Sequence, residues 1–440
     1  RVDMDGFIDN QGNFGADGIV GPHHEKEGSF YTIKQLWSPV QIMNTSIDKQ
    51  FDGKFSVENR YDYLNLNTCR FLWKQVKFPT ATDTSNTTTQ VLKEGEVQGS
   101  DVAAHSTGIL DIKTTILPNA DALFLTAIGK YGHELWRWTF PVDKLNQTNE
   151  MFSPLSGKAT YSETENELTV KAKNHTFIFS KRDGQLKGVS VNNHKTSFAN
   201  GPRFIGARRA DRSLDQFYNH DDEKAKEKDR TYSEFPDAAV FTKLEVKEDG
   251  GNLIVTANYK LGNLDKAQWT INPNGEAALD YTYNFSGVVD LIGICFDYPE
   301  DQVISKRWLG AGPYRVWQNR IHGTQYDVWE NDYNDPIPGE TFTYPEFKGY
   351  FGSVSWMNIR TKEGTISLTN ETPDSYIGVY QPRDGRDRLL YTLPESGISV
   401  LDVIPPVRNK VNSTDLCGPS SQPKWVNGPQ TGRIIFRFME

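Results

Sequence analysis

The sequence predicts an all-β protein made of two successive β-sandwiches, and three observations support this fold class. Short runs of β-branched and aromatic residues, separated by Asp, Asn and Gly turns, recur along most of the 440-residue chain. Helical periodicity is nearly absent from the second half. A polar stretch between residues 143 and 159, with Pro154 and Gly157, is the clearest linker and divides the strand-rich sequence in two.

Composition limits the functions that the chain could have. The 48 basic and 57 acidic residues give a net charge of −9, which argues against a basic surface for nucleic acid or for an anionic membrane. No run approaches the roughly 18 apolar residues of a membrane span. The first residues, Arg1–Asp5, do not resemble a signal peptide, so we expect any targeting segment to have been removed or to lie upstream. Cys69, Cys295 and Cys417 are too scattered for a disulfide framework or a metal motif, and we expect free thiols.

The N-terminal stretch Gly12–Tyr31 begins with small and polar residues that surround a single ring, Phe14, and include the carboxylate of Asp17. A Gly-Pro pair then breaks the chain before an amphipathic run at 31–37, which predicts a short helix or strand. From the residues alone, this loop is either a glycine-rich connection with a solvated Asp or part of a binding site.

The residues after Trp37 predict the first sandwich. Roughly seven short strands within about 105 residues is the spacing of an immunoglobulin-like sandwich. This part has no pair of cysteines with a Trp between them, so the antibody disulfide is not expected. Six of the strands can be placed directly, at residues 39–43, 53–60, 70–76, 108–112, 122–128 and 136–140.

Strands resume after the linker and continue with little interruption to the C-terminus. The turn Lys181–Gly184 contains Asp-Gly, which adopts a positive φ at low cost and so predicts a hairpin between residues 176–180 and 185–191. A run of mixed charges at 219–230 predicts a solvated loop or short helix. About 280 residues of strands without a second linker predict one large two-sheet sandwich. Its other predicted strands are 167–173, 239–246, 253–257, 278–285, 291–296, 365–368, 397–401 and 432–438.

The most distinctive motif of the second sandwich is the segment Arg307–Arg320. Two glycines and Pro313 predict an abrupt turn directly after an apolar strand end, and two Trp rings and one Tyr ring crowd round this turn. Such a turn is either a platform for a sugar or a packed corner, because aromatic rings serve both purposes.

Three segments, in the same order along the chain, resemble the β-galactosidases of glycoside hydrolase family 2. The first resembles the end of the catalytic barrel of these enzymes. The other two are similar to consecutive parts of their C-terminal sandwich, which is of the galactose-mutarotase-like type. After Pro405 the chain departs from the family's pattern. The residues that carry the resemblance are Asn10-x-x-Asn13-Phe14-x-x-Asp17-Gly18-Ile19-Val20 with Pro22-His23, Trp308-Leu309-Gly310-x-Gly312-Pro313 with Asn319-Arg320, and Tyr344-Pro345-Glu346-x-x-Gly349 with Trp356.

The resemblance implies a domain order and a role. Residues 1–36 would be a remnant of the end of a TIM barrel, 37–145 the immunoglobulin-like sandwich, 146–158 the linker, and 159–440 the large mutarotase-like sandwich. A retaining glycosidase needs two carboxyl groups about 5 Å apart, and in this family both are barrel glutamates that would lie upstream of this chain. The chain is therefore expected to be the non-catalytic C-terminal portion of a β-galactosidase-type enzyme, inactive alone, which supports and completes the active site.

The resemblance also assigns individual residues. Phe14 would close over the sugar, while Asn10 and Asp17 lie in a loop that holds the 6-hydroxyl region of the sugar. Asp17 would add an oxygen ligand for Na or Mg in the parent enzyme, and Trp425 is the candidate for a ring lent to the substrate by the C-terminal part. No catalytic residue and no cofactor is expected of the chain itself. Its expected partners are β-galactosides and the missing catalytic barrel, with no nucleic acid and no membrane, in a periplasmic or secreted setting.

Two other functions stay open from the sequence. The chain could be a carbohydrate-binding module that acts on its own, or an aldose epimerase of mutarotase fold. An epimerase would need a His and a Glu as general acid and base. None of His175, His194, His220 and His322 lies in a pattern that indicates this role.

Overall fold

The computed structural model describes residues 19–20, 26, 28–83, 88–142, 156–209, 232–332, 348–372, 374–379, 394, 396–407 and 417–440. In these residues the chain forms one α-helix and 27 β-strands, so the predicted all-β class is confirmed. Within the described part, no helix is long and apolar enough to cross a membrane. The chain divides into two compact units, of which the first takes Arg1–Leu145 with Ala311–Tyr314 and Ile321–Val328, and the second takes the rest.

The amphipathic run that predicted a helix or a strand belongs to a helix, α1 (Gly28–Leu36). Late segments of the chain that belong to the same unit lie against this helix. The hydroxyl of Thr32 donates to the carbonyl of His322 at 2.8 Å, and the backbone N–H of Gly323 donates to the side-chain oxygen of Gln35 at 2.6 Å. The rings of Tyr31 and Tyr314 are 5.1 Å apart. Helix α1 is therefore fixed in its unit by residues almost 300 positions further along the chain.

The first unit contains two antiparallel sheets, in the orders β1-β2-β5 and β4-β3-β6-β7. Their facing sides bury Phe55, Phe71 and Leu125 completely. The fourth strand pairs with the third, whereas in a constant-type immunoglobulin domain it shares a sheet with the fifth. The strand count agrees with the sequence, and the immunoglobulin-like assignment stays a prediction. The bounds are β1 Val40–Ile42, β2 Lys54–Asn59, β3 Arg70–Lys77, β4 Gln90–Gln98, β5 Ser106–Asp111, β6 Ala122–Ile128 and β7 Glu134–Pro141.

The described strands that follow residue 159 form an 11-stranded and a nine-stranded sheet, which confirms the predicted large two-sheet sandwich. The 11-stranded sheet follows the order β22-β25-β26-β19-β13-β11-β10-β9-β8, with β12 paired to β11 and β14 paired to β13. Its bounds are β8 Thr160–Glu163, β9 Glu167–Ala172, β10 His175–Ser180, β11 Leu186–Val191, β12 His194–Lys195, β13 Ala199–Arg209, β14 Tyr232–Glu234, β19 Leu291–Asp297, β22 Phe351–Gly352, β25 Tyr376–Val379 and β26 Ile398–Val403.

The nine-stranded sheet follows the order β15-β16-β17-β18-β27-β24-β23-β20-β21. Its longest pairing joins β18 to β27 over 13 residues, from the pair Ala277 and Phe436 to the pair Val289 and Lys424. The bounds are β15 Val240–Asp249, β16 Asn252–Lys260, β17 Leu264–Ile271, β18 Ala277–Val289, β20 Val303–Gly312, β21 Gln325–Asn331, β23 Trp356–Thr361, β24 Gly364–Asn370 and β27 Lys424–Met439.

The predicted Asp-Gly hairpin joins β10 to β11. Gly184 has φ +74°, and the carboxylate of Asp183 accepts the N–H of Gln185 at 3.1 Å. A β-carbon at Gly184 would lie 2.7 Å from the ring of Phe241 and 2.8 Å from the β-carbon of Ala257. Glycine is therefore required here by both its backbone conformation and its close packing.

Aromatic side chains from both sheets meet in the core of the large sandwich. Phe296 on β19 and Phe436 on β27 have ring centroids 5.4 Å apart, and Phe198 lies 4.7 Å from Phe296. All three are completely buried. Burying a side chain of this size contributes about 1.5–3 kcal/mol, so these contacts hold the two sheets face to face.

Strand β19 is buried on both faces, which distinguishes it from strands with one solvated side. Ile292, Ile294 and Phe296 point into the main core, while Leu291 and Cys295 join a smaller cluster on the outer face. Other members of that outer cluster are Val316, Tyr350 and Ile404. The outer face of the 11-stranded sheet is therefore partly covered, and this covering borders the cleft described next.

Candidate functional site

Of the four residues predicted to bind substrate, only Trp425 belongs to the described part of the chain. Asn10, Phe14 and Asp17 lie outside the described residues. Their assignments to a sugar and, for Asp17, to a metal stay predictions. Among the described residues, no group of three or more His, Cys, Asp and Glu side chains is placed to hold a metal ion.

Trp425 is the second residue of β27 and is 68% exposed. It lies opposite Val288 on β18, in the part of the pairing furthest from the core. Two positions along the strand, on the same face, Asn427 accepts a hydrogen bond from the hydroxyl of Ser286 at 2.7 Å. An exposed flat ring beside an amide and a hydroxyl can stack on the apolar face of a sugar while its neighbours bind hydroxyl groups.

The tryptophans of the segment Arg307–Arg320 are buried. Trp308 is completely buried and packs against Phe351 with ring centroids 4.9 Å apart, and Trp317 is only 9% exposed. Strand β20 also runs through both glycines and ends at Gly312, so the turn comes later than the sequence indicated. Of the two interpretations of this motif, the burial of its tryptophans agrees with a packed corner.

The residues after this turn hold the C-terminal tail of the chain. The amide nitrogen of Asn319 donates to the carbonyl of Val407 and to the hydroxyl of Ser421, both at 2.9 Å, and its amide oxygen accepts the N–H of Val407. The amide nitrogen of Gln318 donates to the carbonyls of Ser420 and Gln422 at 3.0 and 2.6 Å. Asn319 is one of the residues that carry the family resemblance, which assigns it no role. In the structure its side chain anchors the C-terminal tail.

A cleft of about 550 Å³ opens on the outer face of β13 and β19. The strand register explains which side chains enter it. Ala199 pairs with Asp297 and Arg203 pairs with Cys295, and paired residues share a face. The register shifts between Ala199 and Arg203, and such an irregularity turns side chains away from the regular pleat.

The irregular stretch of β13 lies close against its neighbour strand. Asn200 has φ +51°, a left-handed conformation that Asn tolerates better than most residues. A β-carbon at Gly201 would come within 2.3 Å of the ring of Phe296 and 2.8 Å of the carbonyl oxygen of Cys295. Only glycine allows this close approach of β13 to its neighbour.

The polar groups of the cleft are joined in one network. The Nη2 atom of Arg203 is 2.7 Å from Oδ1 of Asp297 and 3.6 Å from the sulfur of Cys295. The side-chain amide of Asn200 donates to Oδ2 of Asp297 at 2.6 Å. Burial raises the pKa of the Cys295 thiol, against the opposing effect of Arg203, so the thiol is neutral at physiological pH.

Sequence reasoning did not find this cleft, although one signal for it was present. Asn200, Gly201 and Pro202 are turn-forming residues inside a run that is otherwise typical of a strand, and such residues often mark a bulge or a close approach. The partners Cys295 and Asp297 lie over 90 residues away. Their proximity depends on a strand pairing that the sequence pattern does not reveal.

Comparison with known proteins gives a consistent result. The sequence model of the family described as β-galactosidase small chain matches residues 171–393, just over half of the chain. A β-galactosidase from Priestia megaterium is 22% identical over 388 residues, which cover 84% of this chain and 35% of that protein. The chain thus spans about a third of the length of this relative.

Among solved structures, galactose 1-epimerase from Lactobacillus acidophilus is similar at 9% identity with a TM-score of 0.33, covering 65% of this chain and 99% of that one. The two-sheet sandwich is established by the strand pairings of this chain. The predicted relationship is confirmed by the match over the large sandwich: the chain belongs to the β-galactosidase small-chain family.

Proposed function

We propose that the chain is a non-catalytic portion of a β-galactosidase-type enzyme that acts on β-galactosides together with a separate catalytic barrel. The main support for this proposal is the position of the family match along the chain. Most of the described residues between 171 and 393 belong to the large sandwich, so the part of the chain that defines the family is mainly a β-sandwich. The partial coverage of the Priestia megaterium β-galactosidase supports a role within a larger assembly.

The environments of several carboxylates in the sandwich support a structural role for them. The carboxylate of Glu363 accepts from the N–H of Ser197 at 2.8 Å and from the hydroxyl of Tyr298 at 3.3 Å. Glu276 pairs with Arg437 at 2.5 Å. These groups are held by hydrogen-bond donors or a cation in the protein, as expected of side chains that join strands and turns.

The partly buried His175 is also held in place by packing and a hydrogen bond. The ring of His175 stacks against Phe177 at 6.2 Å, and its Nε2 atom is 2.8 Å from the carbonyl oxygen of Phe438. This packing does not favour the epimerase alternative. The cleft at Arg203 favours the carbohydrate-binding alternative.

Within the proposed enzyme, Trp425 would stack on the substrate from the sandwich side, while Asn10, Phe14 and Asp17 would complete the sugar site of the barrel. The metal part of the proposal rests on the resemblance at Asp17, whose carboxylate would suit a hard cation such as Na⁺ or Mg²⁺. A periplasmic or secreted location is proposed from the glycan-degrading context, and cell fractionation would test it.

Hydrolysis of p-nitrophenyl β-D-galactoside tests the proposal. We expect no turnover by the purified chain and turnover when it is assembled with a catalytic barrel of its family. In that assembly, Trp425→Ala should lower kcat/KM about two- to tenfold, the worth of one aromatic stacking contact. Tyr161→Ala removes another exposed ring of the large sandwich and serves as the matched control.

Two results would overturn the proposal. One is hydrolysis by the purified chain at a rate well above the blank, which would place catalytic groups within it. The other is a fully active barrel that gains nothing in activity or stability from the chain.

A further inference from the structure

The cleft beside β13 and β19 has the size and shape of a ligand site. Its volume of about 550 Å³ falls within the roughly 300–1,000 Å³ of small-molecule sites in proteins. It lies on the outer face of the 11-stranded sheet, and its network of Arg203, Asn200 and Asp297 is not needed to join the two sheets.

Arg203 keeps hydrogen-bonding capacity for a ligand. Its bonds to Asp297 and Cys295 both come from Nη2. Within the described residues, its Nε and Nη1 groups form no hydrogen bond, and together they carry three N–H donors. Each oxygen of Asp297 accepts one bond from the network and retains a second lone pair. The cleft therefore presents a charged donor and a charged acceptor side by side.

The charges in the cleft favour a neutral ligand. The guanidinium of Arg203 is compensated by Asp297 at 2.7 Å. Neither an anion nor a cation therefore meets an uncompensated opposite charge in this pair. The neutral thiol of Cys295 does not change this balance.

The lining also offers apolar surface. Phe235 is half-buried and packs on Phe285 with ring centroids 5.0 Å apart, which fixes its ring. Pro299 and Pro394 line the cleft as well. A neutral ligand with both hydroxyl groups and an apolar face matches this combination of a polar network and fixed hydrophobic surface.

We propose that this cleft binds a neutral carbohydrate, a hexose or a short oligosaccharide, with adjacent hydroxyl groups bound to Arg203 and Asp297. Vicinal hydroxyls suit this pair because a guanidinium donates in a fixed fork and a carboxylate accepts beside it. The lining of the cleft does not include Trp425. The assignment rests on the proposed function only for the choice of galactosides as the first probes.

The test is calorimetric titration of the full chain with lactose and with methyl β-D-galactoside. We expect saturable binding that Arg203→Gln weakens at least about tenfold, the loss expected when a charged hydrogen bond is removed. Arg182→Gln is the matched control, because Arg182 is exposed in the same sandwich. Inorganic phosphate, an anion of similar bonding capacity, should not bind.

A second variant protects the test against misfolding. Ala199→Leu enlarges a side chain that lines the cleft and leaves the charged network in place. It should also weaken binding at least about tenfold by occupying ligand space. Melting temperatures of all variants, measured by circular dichroism, show which of them are folded.

The outcomes separate the two proposals. Binding that Trp425→Ala abolishes and that both cleft variants leave intact would refute the cleft and place the sugar on the exposed strand end. Saturable binding of phosphate, or no binding of either galactoside, would also refute it. Because the titration uses the chain without a barrel, the result does not depend on whether the assembled enzyme hydrolyses galactosides.

Discussion

One side-chain hydrogen bond between the two sheets of the large sandwich makes its stability depend on pH. The hydroxyl of Tyr283 on β18 donates to the carboxylate of Asp402 on β26. Burial raises the pKa of Asp402, while the bond from Tyr283 acts in the opposite direction. The folded state therefore binds the proton of Asp402 more tightly than the unfolded state, where the pKa is close to its ordinary value of about 3.9.

The sign of the pH dependence follows from this difference. The contribution of Asp402 to stability is fully present below about pH 4 and is lost as the pH rises through the raised pKa of the folded state. Asp402→Asn keeps an acceptor for Tyr283 and carries no charge. The free energy of unfolding of this variant, relative to that of the wild type, should therefore increase as the pH rises. The increase is up to about 1.4 kcal/mol per pH unit between the unfolded-state and the folded-state pKa of Asp402.

Urea unfolding followed by circular dichroism between about pH 4 and pH 8 measures this difference directly. Tyr283→Phe is the companion variant, since it leaves the half-buried carboxylate of Asp402 without its donor and should cost about 1.5–3 kcal/mol at neutral pH. Taking the difference between variant and wild type cancels the titration of all other groups. A difference between Asp402→Asn and wild type that stays flat over this range would refute the reasoning.

Three further predictions concern packing and anchoring. Leu279→Ala empties a completely buried position in the large core and should lower the free energy of unfolding by about 2–5 kcal/mol in urea titrations. Gly432→Ala should lower the melting temperature, because its β-carbon would lie 2.2 Å from the hydroxyl oxygen of Tyr281, whereas Gly418→Ala, with open space around the new methyl group, should leave it unchanged; equal effects would contradict this account. Asn319→Asp loses two side-chain donors to the tail and should cost about 1–3 kcal/mol, and an unchanged unfolding midpoint would show that these bonds contribute nothing.

The elements that were predictable from sequence are those whose signals are local. The hairpin at Asp183 and Gly184 was predicted because the positive φ of a tight turn selects glycine, and the structure has that conformation. Strand β6 (Ala122–Ile128) was found because it is a short, nearly continuous apolar run, and its first four residues are all buried. Strand β4 (Gln90–Gln98) was missed because it is polar and largely exposed. It shows neither an apolar run nor a regular alternation of apolar and polar residues, which are the two patterns that indicate a strand.

The candidate sites show a different limit. Trp308 and Trp425 are both tryptophans within strands, and their burial decides whether each can bind a ligand or only packs in the core. Trp308 is completely buried, whereas Trp425 is 68% exposed. The cleft depends on the pairing of Arg203 with Cys295, whose register is set by packing on both faces of the sheet. Residue type alone does not contain this information.

The first unit is built from segments that are far apart in the sequence, so it cannot be completed until late in synthesis. Arg137 and Thr89 bond to Asp327, at 3.2 and 2.6 Å, and the unit includes Ile321–Val328. The ribosome reaches these last residues about 180 positions after Leu145, a delay of about 9–40 s at typical elongation rates of 5–20 residues per second. During that interval the nascent first sandwich lacks the partner of Arg137. A chaperone that protects this surface would therefore act before the large sandwich is complete.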